Sequence, residues 1–196
     1  MVARNRLPSK VGRMTDTELV PVAELDRAAV GDAGGLLRPS CASARWIGRL
    51  IKGRPYGSLE ALVAASDTAI AALSWPDIEE ALAAHPRIGD RALGSSQETR
   101  RSQETRGSDR EPSWSRQEQA AATAASAGVQ AALRAGNAEY EGRFGHVFLI
   151  CATGRSAQEM LSALRGRLGN DPAAEHEVVR GELLRIVRLR LAKTFR

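Results

Sequence analysis

Apolar residues recur at three- and four-residue spacing along almost the whole chain, and alanine, a strong helix former, fills many of the positions between them. That period dictates an all-α fold. At 196 residues, 43% of them hydrophobic, the chain is expected to form one domain, a multi-helix bundle with a single contiguous body.

Capping and breaking residues divide the pattern. A first helix is expected from about Thr17 to Val30, with Pro21 near its first turn and the cluster of Gly31, Gly34 and Gly35 ending it. Ser40 is placed to cap a helix through Trp46, Ile47 and Leu50 that stops at Gly53, and Ser58 to cap another from Leu59 to Leu73. A short helix from Pro76 to about Ala84 then runs into His85-Pro86-Arg87-Ile88-Gly89-Asp90. From Gly94 to Pro112 the composition turns to Ser, Gln, Glu, Thr and Arg, and Ser96-Gln97-Glu98-Thr99-Arg100 repeats as Ser102-Gln103-Glu104-Thr105-Arg106. Such a segment cannot bury a core face, so it reads as a polar loop inserted at about 94–112 in a domain spanning 15–196. Residues 1–14 read as a flexible basic extension. An alanine-rich helix is expected from Ser115 to about Ala135, with a further turn or two over Asn137 to Arg143. Val147 to Cys151 is short enough to be an extended buried segment between helices. Ser156 should cap a helix to Leu168 that Gly169 ends, and Asp171-Pro172 should open the last helix, through Leu183 and Leu191.

Charge and special residues remove several function classes. No apolar run reaches the roughly 20 residues that cross a bilayer, and the charged N-terminus lacks the apolar region of a secretory signal, so no membrane partner and a cytoplasmic location are expected. The formal net charge of +5 suggests nucleic acid, but ten of the 28 basic residues and one of the 23 acidic ones lie in 1–13 and 180–196. The body between them therefore holds 18 basic against 22 acidic residues, and no nucleic-acid partner is expected. Cys41 and Cys151 stand far apart among apolar neighbours and read as two buried reduced thiols. Three histidines without paired spacing offer few ligands, so no metal is expected.

Four features carry possible chemistry. Pro86 stops the helix before it and aims the His85 imidazole, the side chain best suited to exchange a proton near neutral pH. A histidine there can equally do no more than cap helix carbonyls. Ser115-x-x-Glu118 matches a capping box, and the same amides, with Glu118 and Gln119, could instead receive a polar ligand at a helix start. Ala124 to Arg134 resembles a repressor helix-turn-helix, but its second half offers only Gln130 and Arg134 for base readout, so an uninterrupted helix with Gly128 at a close-packing point is preferred. Arg190, between Leu189 and Leu191, can lay its stem on apolar surface and reach inward to a carboxylate or carbonyl.

Taken in order, several strings resemble one family. They are Trp46, Arg54-Pro55-Tyr56, Ala81-Leu82-x-x-His85-Pro86-Arg87-Ile88-Gly89, Ser115-x-x-Glu118-Gln119, Asn137-x-x-Tyr140-x-x-x-Phe144-Gly145-x-x-Phe148-x-x-Cys151, Arg167-Leu168-x-Asn170 and Glu182-x-x-x-Ile186-x-x-x-Arg190-Leu191. They resemble 2-oxo-4-hydroxy-4-carboxy-5-ureidoimidazoline (OHCU) decarboxylase, and the resemblance covers about residues 17–192. It implies an all-helical homodimer that uses no cofactor and makes (S)-allantoin from a small ureidoimidazoline substrate in urate breakdown. It also implies that His85 is the catalytic histidine and proton donor, and that Glu118 is a catalytic glutamate that orients the imidazole or holds the substrate. Pro86, Ser115 and Gln119 would contact the substrate, the backbone of Phe148, Leu149, Ile150, Cys151 and Ala152 would complete the pocket, and Arg190 would steady the ligand. The alternatives left open are a helix-turn-helix-like DNA-binding regulator and a helical binding module without chemistry.

Overall fold

The structure, a computed structural model, describes residues 19–85, 87–88 and 113–196, with backbone alone for 113–125. The basic extension, Pro86 and the repetitive loop lie outside the described residues. The described helices are α1 (Val22–Arg27), α2 (Val30–Leu37), α3 (Ala44–Lys52), α4 (Leu59–Ala71), α5 (Trp75–Ala83), α6 (Ser113–Phe144), α7 (Ala157–Arg167) and α8 (Pro172–Thr194). Among the described residues the only strand-like pairing is one parallel bridge between Val20 and Phe195, so the chain is all-α, as its periodicity dictates.

Two apolar clusters form the core. The larger gathers Trp46, Leu62, Ile78 and Leu183 from the α1–α5 half and from α8. The smaller joins α6 and α7 through Leu133, Tyr140, Leu161 and Leu164. The segment expected to be extended lies outside every helix and runs along their seam: Leu149 belongs to the larger cluster, while Phe148 and Ile150 belong to the smaller. Alternate side chains of an extended run face opposite ways, and Val147 to Ile150 alternate between the two clusters in that pattern.

Several boundaries differ from expectation for tertiary reasons. The first helix is two: Ala28 and Ala29 are extended, and Gly31, Gly34 and Gly35 sit inside α2 instead of ending a helix. The break is held by Arg54, whose Nη1 donates to the carbonyls of Leu25 and Ala28 at 2.7 Å each. Gly34 faces α3, where a Cβ would meet Ile47 at 3.8 Å and Ile51 at 3.9 Å in ordinary van der Waals contact. The α3 cap is Ser43, whose hydroxyl accepts from the Trp46 amide, and Ser40 is buried instead. The long helix does not pause before Asn137 but continues to Phe144, so Ala124 to Arg134 contains no turn and is not a helix-turn-helix unit. Its close-packing glycine is Gly136, where a Cβ would fall 2.1 Å from Leu164 Cδ2, whereas Gly128 is exposed with nothing within 4 Å. Cys41 is buried as expected, but Cys151 is half-exposed.

Candidate active site

His85 follows the last turn of α5, a helix started by the Ser74 and Asp77 capping box and Pro76. Its amide donates to the Leu82 carbonyl at 2.8 Å, and its Nδ1 lies 2.9 Å from the Ala81 carbonyl oxygen. A carbonyl only accepts, so Nδ1 carries a proton, and in the neutral ring the lone pair sits on Nε2. The capping contact thus uses Nδ1 and leaves the chemistry of Nε2 uncommitted to it.

The residues after His85 are tied to α6. Arg87 donates from Nε and Nη2 to the two carboxylate oxygens of Glu141 at 2.6 and 2.7 Å, and Asn137 Nδ2 donates to the Ile88 carbonyl at 2.8 Å. The Arg87 guanidinium holds the Glu141 carboxyl below the ordinary glutamate range.

The seam segment is fixed by a buried polar network. Arg167 Nη1 donates to the Leu149 carbonyl at 2.7 Å, and its Nε and Nη2 donate to Glu175 Oε1 at 2.8 and 2.5 Å. The Tyr140 hydroxyl also donates to Glu175, and Asn170 Nδ2 donates to the other carboxylate oxygen at 2.7 Å. Burial, then the hydrogen bond to Glu175, pushes the Tyr140 phenol above its ordinary range, which keeps it a donor. Two residues on, the Cys151 amide donates to Glu182 Oε2 of α8 at 2.9 Å, and Glu182 Oε1 takes Arg185 at 2.6 Å. Each buried charge is therefore paired and hydrogen-bonded, the condition under which burial of charge is tolerated.

These supports surround a cavity of about 250 Å³. His85 and Ile88 form one wall, residues 148–153 another, and Ile186, Leu189, Arg190 and Lys193 of α8 a third. The cavity suits a small heterocycle better than a drug-sized ligand, which takes roughly 300–1,000 Å³. Arg190 is drawn inward to carbonyls, with Nη1 3.2 Å from that of Ser40 and 3.4 Å from that of Pro39.

The fold thus brings together His85, Phe148, Leu149, Ile150, Cys151, Ala152 and Arg190, each named from the sequence. Ser115, Glu118 and Gln119 fall in the first two turns of α6, and their side chains, like all of Pro86, lie outside the described residues. Ile88, Thr153, Ile186, Leu189 and Lys193 were missed. The last three had a signal: 186, 189, 190 and 193 recur at helical spacing, so placing Arg190 at a cavity places its stripe. Among the described residues, no group of three or more His, Cys, Asp or Glu side chains could hold a metal, and no helix is long and apolar enough to cross a membrane.

Comparison with known proteins adds independent findings. Residues 26–192 match the sequence profile described as OHCU decarboxylase. The chain is 35% identical over 157 residues to the uric acid degradation bifunctional protein TTL of Arabidopsis thaliana, spanning 79% of this chain but only 45% of that protein. It is 33% identical over 153 residues to the 2-oxo-4-hydroxy-4-carboxy-5-ureidoimidazoline decarboxylase of Amia calva, 78% of each chain being covered. Its fold is similar to the crystal structure of OHCU decarboxylase in the presence of (S)-allantoin, with TM-score 0.60 and 26% identity over 80% of this chain and 94% of that one. It also resembles the crystal structure of (S)-allantoin synthase, with TM-score 0.59 over 89% of this chain and 54% of that one; at 17% identity this likeness is one of fold.

Proposed function

The chain belongs to the OHCU decarboxylase family, and from that premise we propose that it converts OHCU to (S)-allantoin and CO2 in urate degradation, with His85 as proton donor. The observation that carries this reading is the placement of His85. Its Nδ1 is committed to a main-chain carbonyl, and its ring lines the small cavity that Arg190 and the seam segment also line.

The reaction can be written on these groups. The bond from ring carbon 4 to the carboxylate breaks and CO2 leaves. The electron pair left on carbon 4 forms a double bond to carbon 5 as the imine pair of carbon 5 moves to its ring nitrogen, which takes a proton. The hydroxyl on carbon 4 then becomes a carbonyl by losing its proton, while carbon 5 gains one. The substrate's own conjugation is the electron sink, so the step is written without a cofactor. One proton is consumed overall, because a carboxylate anion becomes neutral CO2 and a C–H bond. His85 in its charged form gives that proton from Nε2 and keeps the one on Nδ1, since Ala81 holds it there. Delivery to one face of carbon 5 fixes the stereochemistry. Arg190 steadies the ligand and, by the family resemblance, Glu118 orients the imidazole or holds the substrate, with Pro86, Ser115 and Gln119 in contact with it. A cytoplasmic homodimer is the setting for this reading, and light scattering of the purified chain tests the dimer.

The functional test is circular dichroism on OHCU freshly generated from urate, because spontaneous decay gives racemic and optically silent allantoin. A growing allantoin signal is expected with the protein, and none with His85→Gln at unchanged far-ultraviolet ellipticity. Racemic decay at the spontaneous rate in the presence of folded wild-type protein would overturn the assignment.

A further inference from the structure

The cavity wall contributed by α8 carries two cations, Arg190 and Lys193, one turn apart on the stripe that also presents Ile186 and Leu189. Their shares differ. Arg190 is engaged with the carbonyls of Pro39 and Ser40, whereas Lys193 forms no ion pair with a carboxylate among the described residues. The described lining of the cavity contains no acidic side chain. Lys193 also stands in the last turn of α8, whose carbonyl end is partially negative and repels an anion, so a cation there reverses the local field. That turn is anchored: Phe195 is fully buried, the Val20 amide donates to the Thr194 carbonyl at 2.7 Å, and the Arg196 amide donates back to Val20 at 3.0 Å. The Lys193 backbone is therefore held at the cavity rim before any ligand arrives.

Resting on the decarboxylase reading above, we propose that Lys193 is a specificity-determining residue that selects the carboxylate-bearing substrate over its neutral product. The substrate carries a carboxyl group on a ring carbon, ionised at neutral pH as carboxyls of ordinary pKa are. Allantoin has lost that group and carries no charge. A cation at the rim therefore attracts the molecule that must enter and has no hold on the one that must leave. Because the carboxylate is present in the ground state and leaves as neutral CO2, the attraction is spent on binding, and its loss falls on KM more than on kcat.

The test compares wild type, Lys193→Gln and Lys193→Arg. In the dichroism assay Lys193→Gln should raise KM about fivefold, the upper range for one solvent-accessible ion pair, with the arginine variant restoring it and added salt shrinking the difference. Calorimetric titration supplies a second readout that needs no turnover. Hydantoin-5-acetate, an anionic ring analogue, should bind Lys193→Gln about fivefold more weakly than wild type, while neutral (S)-allantoin should bind the two within twofold. Equal weakening for both ligands, or a KM and an analogue affinity within twofold of wild type, would overturn the proposal. A wild type that binds the anionic analogue through Lys193 but leaves OHCU to decay racemically would refute the decarboxylase reading and leave the charge selection standing.

Discussion

Replacing Glu175 by glutamine should cost about 3 kcal/mol of folding stability, although the two side chains are nearly the same size. Glu175 is fully buried, and its partner Arg167 has a side chain only 10% exposed. The amide oxygen of the variant side chain could still accept from the Tyr140 hydroxyl, but the guanidinium is left in the interior without its counter-charge. Breaking a buried ion pair on one side costs roughly 3–5 kcal/mol. The lower end applies because Arg167 keeps the Leu149 carbonyl at 2.7 Å and the Tyr140 oxygen at 3.2 Å. For a chain of this size each kcal/mol moves the midpoint by roughly 2–4 °C, so a fall in Tm of about 6–12 °C is expected. Urea unfolding followed by far-ultraviolet dichroism gives the free energy. The double variant Arg167→Met/Glu175→Gln is the decisive control, since removing both charges should be cheaper than the sum of the two single changes. A single variant within about 1 kcal/mol of wild type, or a double variant that is simply additive, would refute the argument that this pair is held by mutual compensation. Because Arg167 positions Leu149, the folded fraction of Glu175→Gln should also lose activity beyond what its unfolded fraction explains.

Three further outcomes follow from particular contacts. Gly136→Ala should destabilise by about 1 kcal/mol, the overpacking against Leu164 exceeding the helix-propensity gain, while Gly128→Ala on the same helix should stabilise by about 0.5–1 kcal/mol; equal melting shifts would sink the distinction. Burial pushes the Cys41 thiol up to about 11, so at pH 8 iodoacetamide should modify Cys151 alone in the folded protein, and (S)-allantoin should slow that reaction; mass spectrometry showing Cys41 labelled as fast would contradict it. The Arg87–Glu141 pair lowers the folded-state pKa of Glu141, so its contribution, at most about 1 kcal/mol for a pair this exposed, is complete above the ordinary glutamate pKa and lost as pH falls through the lowered value. Glu141→Gln should therefore flatten that part of the acid limb of a stability–pH curve, and an unchanged limb would count against the pairing.

The amino-acid sequence determined the fold class, most helix starts and most of the cavity lining. Ser58, Ser156 and Asp171 cap helices where local chemistry says they should, because a cap needs only a side-chain oxygen and the free amides next to it. His85 was legible because an imidazole placed just before a proline at the end of a helical pattern stands out as a proton-exchange candidate, whereas the Phe148 to Ala152 run was placed at the pocket by the family resemblance. What misled the reading of the sequence was distant in the chain. Arg54 decides that α1 stops at Arg27, across 26 to 29 residues, and the packing of α2 on α3 overrides three glycines that by propensity end a helix. Gly128 and Gly136 look alike in sequence, and only the position of Leu164 says which one is a contact. Nor does spacing choose among Arg185, Arg188, Arg190 and Lys193. Arg185 pairs with Glu182 one turn earlier on its own helix, whereas the docking of α8 on α4 and on the seam segment sends Arg188 to Asp67, and Arg190 and Lys193 to the cavity. Local propensities act over one turn of chain and are written in neighbouring residues, whereas the face a side chain finally presents is set by packing between segments far apart, and that exists only once the whole chain has folded.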